Sequence, residues 1–196
     1  MGFTVSDASS KLRKVSVTQQ NIIGNNNDMT VTGTGVGRWD YDDVISCTED
    51  VADPLGRANN ANNILFGTST LVMRQQLITV PSAGEPYTFS CWIKRVIGDG
   101  NFRVDYGDGQ GSHILRPTTG LWYPYVVPVV HGGSDWLDFN CPNSSVNTGF
   151  HIYGCQLNLG NIPFYYLENV GGASYDVQEN EVFVNDNNLK TASILV

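Results

Sequence analysis

The chain is 196 residues long and acidic: 11 Lys and Arg face 19 Asp and Glu, for a net charge of −8. A duplex-binding surface is basic, so this balance argues against nucleic acid as a partner. No apolar run approaches the roughly 20 residues of a membrane-spanning helix, and residues 1–6 lack the charged-then-apolar order of a secretory leader.

Hydrophobic residues make up 41% of the chain, enough for a core, while charged residues make up only 15%. Gly (21) and Asn (19) are abundant. Both serve positive-φ turns and weaken helices, so many short strands are expected.

Residues 1–28 read as an N-terminal arm. It holds a small basic group, Lys11, Arg13 and Lys14, and one alternating stretch, Val15-Ser16-Val17-Thr18. A polar turn cluster closes it over 21–28. Residues 29–172 read as a β-sandwich domain. Met29-Thr30-Val31-Thr32 alternates like a strand. Residues 40–53 read as an acidic, polar stretch around Val44-Ile45, Pro54-Leu55-Gly56 as a turn, and 59–63 as a loop leading into Ile64-Leu65-Phe66.

Strand signals then come at close spacing, over 71–80, 87–94, 102–106, 113–116, 125–130, 136–139, 150–159 and 164–167. Residues 87–94 alternate most cleanly. Tyr87, Phe89, Cys91 and Ile93 share one face; Thr88, Ser90, Trp92 and Lys94 share the other. Trp92 is expected to pack against neighbouring structure despite lying on the more polar face. Residues 173–196 read as a C-terminal extension with the fragments Val182-Phe183-Val184 and Ile194-Leu195-Val196. No stretch keeps a helical period. The expected fold is all-β, an antiparallel β-sandwich (jelly roll) with an N-terminal arm and a C-terminal extension.

The cysteines, Cys47, Cys91, Cys141 and Cys155, form no C-x-x-C and no zinc spacing. Cys91 and Cys155 sit in strand-like apolar runs, where a free thiol acts as a small hydrophobe. Reduced, buried thiols are expected, with Cys141–Cys155 as the alternative bridge.

Three polar clusters read as structural. Asp105-Tyr106-Gly107-Asp108-Gly109-Gln110-Gly111 lacks the closing Glu of a calcium loop and contains the favoured hairpin pair Asp-Gly. His131-Gly132-Gly133-Ser134-Asp135 has no nucleophile elbow and reads as an inter-strand loop. Asp40, Asp42, Asp43, Glu49 and Asp50 read as a solvated acidic loop rather than a glycosidase pair. No catalytic residue, metal or cofactor is expected. The stronger signal is aromatic. Trp122, Tyr123, Tyr125 and Trp136 lie near Gly and Pro turns. Flat rings there suit stacking on sugars or anchoring a protein interface, with ordinary sandwich core as the alternative.

Asn21-Ile22-Ile23 is followed by Trp39. Tyr87-Thr88-Phe89-Ser90-Cys91-Trp92-Ile93-Lys94 forms a middle motif. Ile152-Tyr153-Gly154-Cys155-Gln156-Leu157-Asn158-Leu159-Gly160 leads into Phe164-Tyr165-Tyr166-Leu167. In this order, over about residues 21–172, the chain resembles the small jelly-roll modules of tailed-bacteriophage virion proteins, which are related in architecture to carbohydrate-binding modules. Cys155 and Asn158 depart from the small residue and the acid of that pattern, and Leu121-Trp122-Tyr123-Pro124 is a poor match to its W-x-R-V strand. The resemblance implies a non-enzymatic structural protein on the virion exterior, foremost a capsid decoration or cement protein made in the host bacterial cytoplasm. Its partners would be the major capsid protein or other virion proteins, contacted through Lys11, Arg13 and Lys14, and its assembly a homotrimer. The alternative is a tail-fibre or tail-tip module that binds a host surface glycan through Trp122, Tyr123, Tyr125 and Trp136. Neither nucleic acid nor membrane is implied.

Overall fold

A computed structural model describes residues 12–26, 28–41, 44–68, 72–106, 112–142, 144–160 and 177–185. Every element among these residues is a β-strand. The chain divides into two units. One comprises Met1–Gln19 and Val177–Val196, and holds β1 (Leu12–Gln20) and β12 (Val177–Asn185), paired as a two-stranded sheet. The expected arm and extension therefore meet. Two short alternating stretches at opposite ends of a chain carry no local sign that they pair.

The other unit, Gln20–Asp176, is the sandwich. One sheet has the order β2 (Trp39–Tyr41), β5 (Met73–Gln76), β10 (Trp136–Asn140), β7 (Phe102–Asp105), β8 (Ser112–Leu115). The second runs β3 (Val44–Val51), β4 (Ala61–Phe66), β11 (Thr148–Leu159), β6 (Pro86–Ile97), β9 (Tyr123–Val130). All neighbouring pairs are antiparallel. Only β3–β4 and β7–β8 join consecutive strands, so the chain crosses repeatedly between layers.

Period-two alternation builds the core between the sheets. Phe66, Phe89 and Phe150 point in from one sheet, Trp39, Phe102 and Phe139 from the other, all at most 1% exposed. Their rings interdigitate edge-on or tilted. Phe102 lies 5.0 Å from Phe139, 5.3 Å from Phe150 and 6.2 Å from Phe66 between centroids, separations at which aromatic pairs attract beyond their burial.

The polar cluster after residue 20 belongs to this core unit, not to an arm. Residues 21–26 are buried and link the two sheets. On one side, Ile22 N donates to Leu157 O, and Asn21 and Asn26 donate their amides to Cys155 O. That carbonyl is available because β11 is bulged between Tyr153 and Gln156 in its ladder with β6, with Gly154 at φ 66°. On the other side, the buried Gln75 amide donates to Gly24 O at 2.6 Å and Gly37 O at 3.1 Å, and accepts from Gly24 N at 2.9 Å. A Cβ on Gly24 would lie 2.6 Å from Gly37 Cα, so this crossing of backbones requires glycine. Asparagine is abundant here because backbone that leaves the ladders while buried must find side-chain partners.

Two other expectations change. Residues 40–53 contain β2 and β3 rather than a loop. β3 is an edge strand whose exposed side chains include Ile45, Ser46, Thr48 and Asp50, so its alternation is masked by polar residues. The stretch 29–32 is a turn with a single bridge, Thr32 to Trp39; Met29 is buried, and its amide donates to Asn62 Oδ1 at 2.8 Å. All four cysteines are free. Cys155 adjoins Cys91 on β6, whereas the Cys141 thiol packs into the space beside Gly100, where a Cβ would stand 2.2 Å from its sulfur. Cys141 and Cys155 therefore have different neighbours. Burial raises both thiols above the ordinary cysteine range. The expected strand at 164–167 and the fragment at 194–196 lie outside the described residues.

Candidate functional site

The outward positions of β6 and β11 bring the most distinctive surface together. Register sets Trp92 opposite Tyr153 and Lys94 opposite His151, and places Asn63 of β4 on the far side of His151. Trp92 is 39% exposed. Trp122, just before β9, extends its ring over β6. It stands 6.2 Å from the His151 ring, with Lys94 Nζ 4.8 Å from its centroid. At that distance an ammonium is attracted to the electron-rich face of an indole.

A loop fixes the other border. Between β3 and β4 the chain turns through Gly56 (φ 83°) and Asn59 (φ 52°) around the buried Asp53 carboxylate. Asp53 accepts from Leu55 N, Arg57 N, Arg57 Nε and Asn60 Nδ2 at 2.5–3.0 Å. Burial alone would raise its pKa. The hydrogen bonds from Asn60, Arg57 and Leu55 outweigh that and hold it below the usual carboxylate range. Arg57, so anchored, donates from Nη2 to Tyr153 Oη at 2.6 Å, and its guanidinium sits 5.6 Å from the Tyr153 ring centre. The result is a sheet face carrying Trp92, Trp122, Tyr153 and His151, edged by Lys94 and Arg57. Further along the same face Thr88, Ser90, Gln156 and Asn158 are polar and buried. Thr88 Oγ1 donates to Gly160 O at 2.7 Å, where the chain leaves the sheet.

His151 is neutral near pH 7. Desolvation, and then the Lys94 charge, lower its pKa from 6.5 to about 4, against a weaker opposing effect of Asp50. Between those values the unfolded chain takes a proton that the folded chain refuses, so acidification through this window destabilises the fold, and the loss is complete below about pH 4. Water screens a partly exposed ring, which keeps the effect near 1 kcal/mol. Urea unfolding near pH 7 and near pH 4.5 checks this. The His151→Gln variant should lose less stability between the two conditions than the wild type; equal losses would contradict the assignment.

The structure divides the aromatic residues singled out by sequence. Trp122 joins the face. Tyr125 is half-buried against the core, on the inward side of edge strand β9, and burial raises its hydroxyl pKa. Tyr123 shares that side, opposite Ile93, and is 42% exposed. Trp136 lies on β10 of the other sheet, where the Arg74 guanidinium sits 5.6 Å from its ring centre. Glycan contacts from all four would need one surface, and the sandwich places them on several. Lys11 lies outside the described residues, and Arg13 and Lys14 lie on β1, whose side chains do too. Sequence reasoning missed Trp92, Lys94, Tyr153, His151 and Arg57. The available signal was alternation: it had set Trp92 and Lys94 outward, and Trp92 is exposed there rather than packed away.

The other polar clusters have structural duties. His131 is buried, with its Nδ1 accepting from Gly133 N, and Ser134 and Asp135 accept from Trp136 N and Gln76 Nε2. Asp105 pairs with Arg103 at 2.9 Å and accepts from Asn140 at 2.9 Å; residues 107–111 lie outside the described set. Among the described residues no three His, Cys, Asp or Glu side chains gather as metal ligands.

No family model and no curated protein matches the chain. Several solved structures are similar to it. Modules of Clostridium thermocellum endo-1,4-β-D-xylanase 10B, complexed with xylohexaose, align over 74% of this chain at 13% identity and TM-score 0.47. The enzymatically active domain of bacteriophage CBA120 tailspike protein 4 aligns over 71% at 18% identity and TM-score 0.49. A family 16 carbohydrate-binding module aligns over 70% at 19% identity and TM-score 0.48. The chain spans 29% of the xylanase, 21% of the tailspike domain and 99% of the family 16 module. These are likenesses of fold.

Proposed function

We propose that the outer face of the β3-β4-β11-β6-β9 sheet binds carbohydrate, with sugar rings stacked on Trp92 and Trp122. The carrying observation is the placement of these two indoles on one sheet face, Trp92 exposed, with Lys94 and the Arg57–Tyr153 pair supplying polar edges. A rigid strand platform holds flat apolar surface without the ordering cost that a loop would incur. The reading is of binding rather than turnover: Asp53, the buried acid beside the face, is already saturated with donors. Location on a phage particle, as a tail-fibre or tail-tip module, is part of the same proposal and rests on the motif resemblance at 87–94 and 152–160. A capsid-decoration role through Lys11, Arg13 and Lys14, and a homotrimer, rest on that resemblance alone, so glycan binding moves ahead of them.

A glycan array followed by calorimetry tests the reading. Trp92→Ala and Trp122→Ala should each weaken binding about tenfold or more, as for central aromatic contacts at interfaces, while their melting temperatures stay near wild type. Trp136→Ala, on the other sheet, should bind normally. A wild-type chain that binds no glycan, or binding that survives both face substitutions, refutes the proposal.

A further inference from the structure

Charge on this face is distributed against the character of the chain. The molecule carries −8 overall, yet two cations, Lys94 and Arg57, edge the aromatic surface, with Asp53 against Arg57 and Asp50 of β3 close enough to act weakly on His151. The two cations differ. The Arg57 charge is matched by Asp53, whose carboxylate oxygen lies 2.5 Å from Nε. Lys94 has no carboxylate partner among the described residues; its neighbour is the Trp122 ring. His151 opposite it adds no charge near neutral pH, and its Nδ1 is buried without a hydrogen-bond partner among the described residues. Among the described residues, the surface thus presents in Lys94 an ammonium without an ion-pair partner, set over an indole and next to an exposed tryptophan.

Building on the carbohydrate reading above, we infer that the glycan is anionic, and that Lys94 selects a sugar bearing a carboxylate or a comparable acidic substituent. A neutral sugar would leave the ammonium with only water and the indole face. An acidic sugar stacked on Trp92 or Trp122 would bring its charge to Lys94, which has no ion-pair partner among the described residues, and a charge-assisted hydrogen bond is the stronger kind. The acidic remainder of the molecule repels such a ligand at long range, so recognition depends on this local contact and gains nothing from overall steering.

The experiment uses the full chain and matched pairs of oligosaccharides: sialyllactose with lactose, tetragalacturonate with its carboxyl-reduced form, and a glucuronic-acid-substituted xylan oligosaccharide with plain xylotetraose. The acidic member of at least one pair should bind about tenfold more tightly, and that preference should collapse in about 0.5 M NaCl. Lys94→Gln should abolish the preference by weakening the acidic member about tenfold more than the neutral one, and Lys94→Arg should restore it. Equal binding within every pair, or a preference that Lys94→Gln leaves intact, overturns the inference. If neutral sugars bind in a Trp92-dependent way without acidic preference, stacking stands and only the charge selection falls. If no member of any pair binds, both fall.

Discussion

Replacing Phe102 with alanine is expected to lower the unfolding free energy by about 4 kcal/mol, the middle of the range for a large ring removed from a packed core. Phe102 is fully buried and touches aromatic rings from both layers: Phe139 in its own sheet, and Phe66 and Phe150 in the facing one. Deletion removes the apolar transfer energy of the ring and also leaves a cavity that three rigid neighbours on separate strands cannot close. Phe102→Leu keeps much of the volume and should cost about half as much. Urea unfolding by tryptophan fluorescence checks both variants. A loss below about 1.5 kcal/mol for the alanine would mean that the sheets can collapse around the gap, contrary to close packing at this position.

Gln75→Met should cost about 3 kcal/mol although it preserves the length and most of the volume of the side chain. The Gln75 amide makes three hydrogen bonds in a buried setting: to Gly24 O, to Gly37 O and from Gly24 N. A thioether cannot replace them: Gly24 N–H and Gly24 O lose this partner, while Gly37 O keeps the Asn25 amide at 2.7 Å, and each orphaned group costs about 1–3 kcal/mol. Because these bonds attach residues 21–26 to β5, the defect should also be local. Amide exchange at Gly24 should accelerate well beyond the global change, while exchange in β6 follows global stability. Exchange that rises uniformly, or stability equal to wild type, would show that the Gln75 amide is not what holds the segment, leaving that to the Ile78–Ile22 backbone bond and the β11 side.

The two predictions probe features that differed in how readable they were. Phe89 stands inward in the run whose period of two is cleanest, and Phe102, Phe139 and Phe150 fall within other strand signals, whereas Phe66 follows a stretch that reads as a loop. The same period separates Tyr87, Phe89, Cys91 and Ile93 from Trp92 and Lys94 within β6. Gln75 and the asparagines at 21 and 26 were not readable. A polar residue in a turn-like cluster looks solvated, and only the crossing of residues 21–26 between a bulged β11 and β5 turns it into a buried connector. β3 was missed because an edge strand with polar outward residues lacks the alternation that identifies a central one.

The candidate site follows the same division. That aromatic side chains are the leading candidates for a binding surface was legible from composition, from low charge and from turn-flanked tryptophans. Which of them share a face was not, because Trp122 and Trp136 look alike in sequence, yet Trp122 lies over β6 of one sheet and Trp136 on β10 of the other.

By itself, then, the sequence determined the all-β class, most strand positions and the inward face of β6, because these depend on alternation between neighbours a few residues apart. Tertiary structure alone decided which strands lie side by side, that the two chain ends pair as β1 and β12, and that Trp92, Lys94, Trp122, His151, Tyr153 and Arg57 form one surface. The reason is physical: strand order and register arise from packing among residues tens of positions apart, and no local pattern encodes the partner.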